Sequence, residues 1–210
     1  MPKPESRLFL VTDRHQTNGR PLVPLLERAV TVGRPVIQLR ERDLSVKDLL
    51  ALAEGVQRIA KRCGSQLVIN DRIDVALALD GVGVHLRSNS LPVSVASRIF
   101  GRGRLLGISA HSVDEAVQAE LQGADYVVLG PVYDTPSKRA FGPPLGLQCV
   151  EDACKRVRIP IIGIGGVTAV RARDLRHVGA FGVAVITAVL GAADIEAAVL
   201  TLLDAVASPP

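Results

Sequence analysis

The sequence predicts an α/β protein folded as a single (β/α)8 TIM barrel, and three observations predict it. Short aliphatic runs alternate with amphipathic stretches about eight times, the count and spacing of a compact barrel. All of this fits in 210 residues, of which 48% are hydrophobic, only 3% aromatic and none tryptophan. Barrel interiors are filled in layers by such branched aliphatic side chains. Nearly every aliphatic run also ends in polar residues, as expected where strands deliver side chains to one mouth. A doubly wound sheet alternates strands and helices too, but normally with fewer strands.

Taken in order, the first strand is Leu8–Thr12, running into Asp13-Arg14, and a helix follows at Leu22–Val32. Val36–Leu39 carries Gln38 and leads into Arg40-Glu41-Arg42. A two-residue period sets Gln38, Arg40 and Arg42 on one face. Ser45–Arg62 reads as a long helix, with Ser45 and Asp48 spaced as a capping box in which Asp replaces the usual Glu. The third strand, Gln66–Ile69, ends at Asn70-Asp71-Arg72, and the fourth, Val82–His85, at its histidine. Val93–Phe100 is helical, Leu105–Ile108 ends in Ser109-Ala110-His111, and Val113–Gln122 is the next helix. Tyr126–Leu129 ends in Gly130-Pro131, and Leu147–Arg156 is helical.

The last two strands carry the clearest functional signal. Ile161–Ile164 ends in Gly165-Gly166, before a helical stretch at Arg171–Val178. Glycines there let the backbone approach a ligand, and the helix N-terminus behind them offers free N–H groups to an anion. Gly182–Ile186 follows, with Thr187-Ala188 just past its end, and Asp194–Val206 is the final helix. Two successive strand ends sharing one phosphate match the site after the last two strands of such barrels. A tight βα turn uses the same glycine pair, so the pair alone does not separate the two readings.

Composition narrows the classes further. The length suits one domain over residues 1–210, with no linker, low-complexity tract or second domain, and Pro209-Pro210 reads as a plain tail. The formal charge of +4 is spread along the chain, and few aromatics are available for base stacking, which argues against nucleic acid. No apolar run reaches membrane-spanning length. The start, Met1-Pro2-Lys3-Pro4-Glu5, lacks a signal-peptide core. Cys63, Cys149 and Cys154 are odd in number and lack CxxC spacing, as expected of reduced packing residues in a cytoplasmic protein. Phosphorylated small molecules are the expected partners, and a homo-oligomer is left open.

Arg40, Arg42, Asn70, Asp71, Ser109 and a phosphate seat at one mouth would suit an anionic substrate. Plainer readings stand beside this one. Arg40 and Arg42 could pair with Glu41 and Asp71, His85 could be a packed core residue, and His111 could cap the helix behind it. His15 and His177 carry no functional weight, and Arg72 with Asp74 reads as a helix-start pair. Gly130–Gly146, rich in glycine and proline, is the longest irregular segment. With Lys138 and Arg139 in its middle, it is expected to act as a lid.

In sequence order the motifs Val-Thr-Asp-Arg (11–14), Gln-Leu-Arg-Glu-Arg (38–42), Ile-Asn-Asp-Arg-Ile-Asp-Val-Ala-Leu (69–77) and Gly-Val-His-Leu (83–86) occur first. Gly-Ile-Ser-Ala-His-Ser (107–112), Ala-Asp-Tyr-Val-Val-Leu-Gly-Pro-Val-Tyr-Asp-Thr-Pro-Ser-Lys (124–138) and Ile-Gly-Ile-Gly-Gly-Val (162–167) follow. Together, over nearly the whole chain, they resemble the thiamine phosphate synthase/TenI family. The resemblance implies a synthase that joins hydroxymethylpyrimidine diphosphate to thiazole phosphate, with Mg2+ helping diphosphate to leave. It implies that Gln38 and Arg40 hold the pyrimidine diphosphate, Arg42 standing where the family has Lys. Asn70 would contact the pyrimidine, Asp71 would ligate Mg2+, and Ser109 and Lys138 would hold the diphosphate. Thr135, Gly165, Gly166, Ile186 and Thr187 would surround the thiazole phosphate.

The same family includes TenI-like thiazole tautomerases, metal-independent, in which the residue matching His111 moves the proton, a task suited to imidazole. One departure bears on the choice. After Gly-Val-His-Leu the synthase pattern supplies a second acidic Mg2+ ligand, where this chain has Ser90, with Arg87 close by. That weakens the metal site. The synthase is the expected activity, the tautomerase the alternative, and a regulatory paralogue without turnover the third reading.

Overall fold

The computed structural model describes residues 2–101, 103–135 and 142–207. Its strands are β1 (Leu8–Val11), β2 (Val36–Leu39), β3 (Leu67–Asn70), β4 (Gly83–Leu86), β5 (Leu106–Ala110), β6 (Tyr126–Leu129), β7 (Ile161–Ile164) and β8 (Gly182–Val185). All pair in parallel with their sequence neighbours, and β8 pairs back onto β1, so the barrel is closed with no free edge. Around it run α1 (Leu22–Gly33), α2 (Val46–Cys63), α3 (Ile73–Leu77), α4 (Val93–Phe100), α5 (Val113–Leu121), α6 (Gly146–Arg156), α7 (Ala169–His177), α8 (Thr187–Leu190) and α9 (Ile195–Ala207).

Strand alternation sorts the core into two. Phe9, Val11, Val68, Val128, Ile162 and Ala184 belong to the cluster inside the barrel. Residues of opposite parity, such as Leu8, Leu10, Ile37, Ile69 and Val127, join the larger cluster between barrel and helices. Inside, Tyr126 is fully buried, with its ring centroid 5.1 Å from that of Phe9. Room for it comes from Gly107, where a Cβ would overlap the phenol ring. Following the inward parity upward brings Gln38, Asn70, His85 and Ser109 to the C-terminal end of the barrel.

The helices start where the sequence provides caps. Ser45 accepts from the Asp48 N–H at 3.1 Å and donates to the Asp48 carboxylate at 2.6 Å, opening α2 as expected. Ser112 and Thr168 cap α5 and α7 in the same way. Two short elements carry no sequence signal, α8 and a 3-10 turn at Arg14–Gln16, and α3 is marked only by its Arg72–Asp74 start pair. None is long enough for a helical period to register.

Two boundaries matter for the site. β2 ends at Leu39, so Arg40 and Arg42 lie beyond the strand, and the two-residue alternation expected to group them with Gln38 is not carried by the pleat there. Gln38 is buried, Arg40 half-buried and Arg42 exposed. β5 instead runs on to Ala110, placing Ser109 within the strand.

Candidate active site

The mouth is built in two halves. In the first, β2 and β3 deliver buried Gln38 and Asn70, whose side chains are joined by a 3.0 Å hydrogen bond from Gln38 Nε2 to Asn70 Oδ1. The turn after β2 is pinned by Thr12, whose hydroxyl accepts the Arg40 N–H at 2.9 Å. Arg42, Asn70, Asp71 and Arg87 line one cavity with Glu41 and Arg72. Burial lowers the Arg40 pKa, and repulsion from Arg42 and Arg87 adds to the effect, while Asp13 and Glu41 oppose it. A guanidinium still carries its charge there, so three like charges are held close together. Such a corner favours an anion.

The acidic groups are already engaged. Arg14 donates to Glu41 Oε2 through its backbone N–H (3.1 Å) and Nη1 (3.3 Å), and pairs with Asp43 at 2.6 Å. Asp71 Oδ2 accepts from Arg87 Nε at 2.6 Å and Nη2 at 2.5 Å, and its Oδ1 accepts from the Ser90 hydroxyl. Among the described residues the ion pairs on Glu41 and Asp71 are made by Arg14 and Arg87, and none joins either carboxylate to Arg40 or Arg42, as the plain reading had it. Arg72 pairs with Asp74 at the start of α3, as expected. Glu41 Oε1 is buried without a hydrogen-bond partner among the described residues.

Asp71 also has the left-handed backbone of φ +62°, with its N–H on the His85 carbonyl at 2.8 Å. That conformation is uncommon outside glycine, though Asp tolerates it.

His85 is packed, but it is more than core filler. Its Nδ1 lies 3.0 Å from the Tyr126 hydroxyl and its Nε2 2.9 Å from Ser109 Oγ. Burial and then the nearby Arg40 charge push its pKa down to about 3, so the ring is neutral at ordinary pH. Burial likewise raises the Tyr126 phenol, which stays protonated. A neutral imidazole offers one donor and one acceptor, so one of the Tyr126 and Ser109 hydroxyls meets its N–H and the other its lone pair, and Ser109 is held in place at the end of this line. No local motif announces this line. Its trace was the inward parity shared by His85 and Ser109 on adjacent strands, with glycine at 107 opposite a tyrosine.

His111 lies at the same mouth, with Nδ1 2.6 Å from the Gly130 carbonyl. A carbonyl only accepts, so Nδ1 donates to it and Nε2 is the nitrogen left facing away from that bond. The capping role weighed for His111 belongs to Ser112, which accepts from the Glu115 N–H at 3.1 Å, while the Glu115 carboxylate takes the His111 N–H at 2.7 Å.

The second half of the mouth holds the glycine pair. Gly165 and Gly166 follow β7 with φ +99° and +64°, and Ile186-Thr187 follow the adjacent β8. These strand ends are therefore neighbours, on the same end of the barrel as Arg40. The glycines also have a purely structural reason. A Cβ on Gly165 would lie 2.7 Å from Pro131 Cβ, and one on Gly166 would lie 2.7 Å from the Asp134 carbonyl oxygen. The segment after β6 packs directly on them through Val132 N–H to the Ile164 carbonyl (2.8 Å) and Tyr133 N–H to the Gly165 carbonyl (3.2 Å). Arg171 braces the same turn, donating to the Gly166 carbonyl at 2.7 Å and lying over the Tyr133 ring. Thr135 is half-buried at the end of this segment. Lys138, Arg139 and the centre of the expected lid lie outside the described residues.

Comparison with known proteins decides the family. A protein-family model described as thiamine monophosphate synthase matches residues 8–189. The chain belongs to the thiamine monophosphate synthase family. It is 41% identical over 209 residues to a thiamine-phosphate synthase of Roseiflexus castenholzii, covering 99% of this chain and 92% of the relative. It is 43% identical over 201 residues to that of Methanoculleus marisnigri, covering 96% and 95%. A solved thiamine phosphate pyrophosphorylase from Pyrococcus furiosus superposes with a TM-score of 0.87 at 31% identity, covering 96% of this chain and 95% of that one. A 3-hexulose-6-phosphate synthase at 16% identity and TM-score 0.71 shares the fold.

Within this thiamine monophosphate synthase barrel, the Mg2+ implied by the resemblance can be tested against the donors. Mg2+ asks for oxygen ligands, usually one or two carboxylates with water and phosphate oxygens. Among the described residues no group of three His, Cys, Asp or Glu side chains is placed to hold a metal. Asp71 has both oxygens engaged, one of them by a cation. Ser90 supplies a neutral hydroxyl already donating to Asp71. These residues do not fit an acidic Mg2+ site.

Proposed function

We propose that this chain works as a thiamine-phosphate synthase, over one barrel domain, joining hydroxymethylpyrimidine diphosphate to thiazole phosphate and releasing diphosphate. The observation that carries the reading is the cationic corner, Arg40, Arg42 and Arg87 beside Asn70 and Gln38. The bond from the pyrimidine methylene carbon to the diphosphate oxygen breaks, and diphosphate leaves with the electron pair. The thiazole nitrogen lone pair then forms the new carbon–nitrogen bond. Charge develops on the leaving group, and fixed guanidinium donors stabilise it where it forms.

Other residues take supporting roles on this reading. Gln38 and Asn70 orient the pyrimidine, and Ser109, held in place by His85, donates to the diphosphate with Lys138. Gly165, Gly166, Ile186, Thr187 and Thr135 receive the thiazole phosphate across the other half of the mouth. No helix among the described residues is long and apolar enough to cross a membrane. The three free cysteines suit a reducing cytoplasm.

The test is direct: purified protein is given both substrates and assayed for thiamine phosphate. Product is expected. Absence of product, together with a His111-dependent aromatisation of thiazole carboxylate phosphate, would replace the synthase by the tautomerase. Binding without either reaction would leave a regulatory paralogue.

A further inference from the structure

We infer that the Arg87 guanidinium, clamped on Asp71, is the resident cation of the diphosphate corner, so that the site takes its organic diphosphate as the metal-free anion. The inference rests on the synthase reading above and goes beyond it in naming the ionic form of the ligand. Its ground is the use already made of Asp71. The carboxylate accepts from Arg87 Nε and Nη2 on one oxygen and from Ser90 on the other. The turn that carries both partners is closed on itself, with Ser90 N–H on the Arg87 carbonyl and Arg87 N–H on Ser90 Oγ, each at 3.0 Å. Ser90 therefore holds the turn and the carboxylate at once, and Arg87 is set in one place.

A divalent ion entering here would have to displace the Ser90 donor and sit against a guanidinium. Like charges at such separations repel strongly. Arg87 needs no such exchange. Of its five N–H donors, the bond to Asp71 uses one on Nε and one on Nη2, which leaves three for phosphate oxygens. Arg87 lines the same cavity as Arg42 and Asn70, and its charge is felt at Arg40. Asp71 acts on this view as a positioning residue for Arg87.

Calorimetric titration of the full chain with inorganic diphosphate, once in excess EDTA and once in saturating Mg2+, tests this. Diphosphate is expected to bind in EDTA at least as tightly as in Mg2+. Arg87→Ala should weaken metal-free binding about tenfold or more, the loss of one charge-assisted contact, with Arg87→Lys recovering part of it. Ser90→Asp combined with Arg87→Gly should make binding depend on Mg2+. Binding by the wild-type chain only when Mg2+ is present would overturn the inference and leave the synthase reading standing. Metal-free binding undiminished by Arg87→Ala would overturn it too. No diphosphate binding in either buffer would remove the inference and the diphosphate corner together. Should Arg87→Ala fold poorly, the wild-type comparison of EDTA with Mg2+ decides alone.

Discussion

At His85 the barrel interior meets the mouth, and one buried ring links Tyr126 below to Ser109 above. Its pKa is pushed from 6.5 down to about 3, so between those values the unfolded chain binds a proton that the folded one refuses. Stability from this residue is complete above about pH 6.5 and is lost as pH falls toward 3, with a limiting slope of about 1.4 kcal/mol per pH unit. Denaturant melts from pH 7 to pH 4 should show His85→Gln losing less stability than wild type over that window. Equal losses would mean that the ring is not held neutral. Arg87 and Ser90 show what the sequence did and did not disclose at this scale. Their departure from the family pattern was plain in the residues, and so was the threat to a metal. That both would engage Asp71 was not, because pairing across two loops depends on the left-handed turn of Asp71. Arg14 tells the same story, since nothing local announces that residue 14 will take Glu41 and Asp43.

Among the elements, β5 and β6 carry the sharpest packing constraint. Tyr126 occupies the space a side chain at 107 would need, so Gly107→Ala should destabilise the fold by about 1–3 kcal/mol, as overpacking does, measured by thermal or urea unfolding. A neutral result would mean that the tyrosine moves aside freely. The α2 cap is a milder case: Ser45→Ala removes both the acceptor for the Asp48 N–H and the donor to its carboxylate, at a cost of about 1 kcal/mol. Strands and long helices were legible because their periods repeat over enough residues, and β2, β6 and β7 begin and end where the apolar runs do. The pieces of four or five residues, α3 and α8, showed no helical face, since so short a stretch cannot, and only the Arg72–Asp74 pair marked where α3 starts. At the turn after β7 the sequence suggested a phosphate and the structure adds a second reason for the glycines. Gly166→Ala is therefore expected to loosen the packing of the segment after β6, because φ +64° and the Asp134 carbonyl both resist a Cβ. It reports on fold as much as on ligand.

Taken whole, the molecule divides its labour by position. The closed parallel sheet supplies a rigid frame, and each strand ends at the same rim. Cations and amides gather after β2 to β5, and close-approaching backbone gathers after β7 and β8. That layout was legible from the order of motifs alone, because in a barrel chain order sets position around the rim. The measurement that tests the account most directly is the rate of thiamine phosphate formation by wild type, Arg40→Ala and His111→Ala under identical conditions. If the cationic corner stabilises departing diphosphate, wild type turns over and Arg40→Ala loses about 10²–10³-fold in kcat, while His111→Ala stays within several-fold of wild type. The reverse order, with His111→Ala inactive and Arg40→Ala nearly unimpaired, would contradict it.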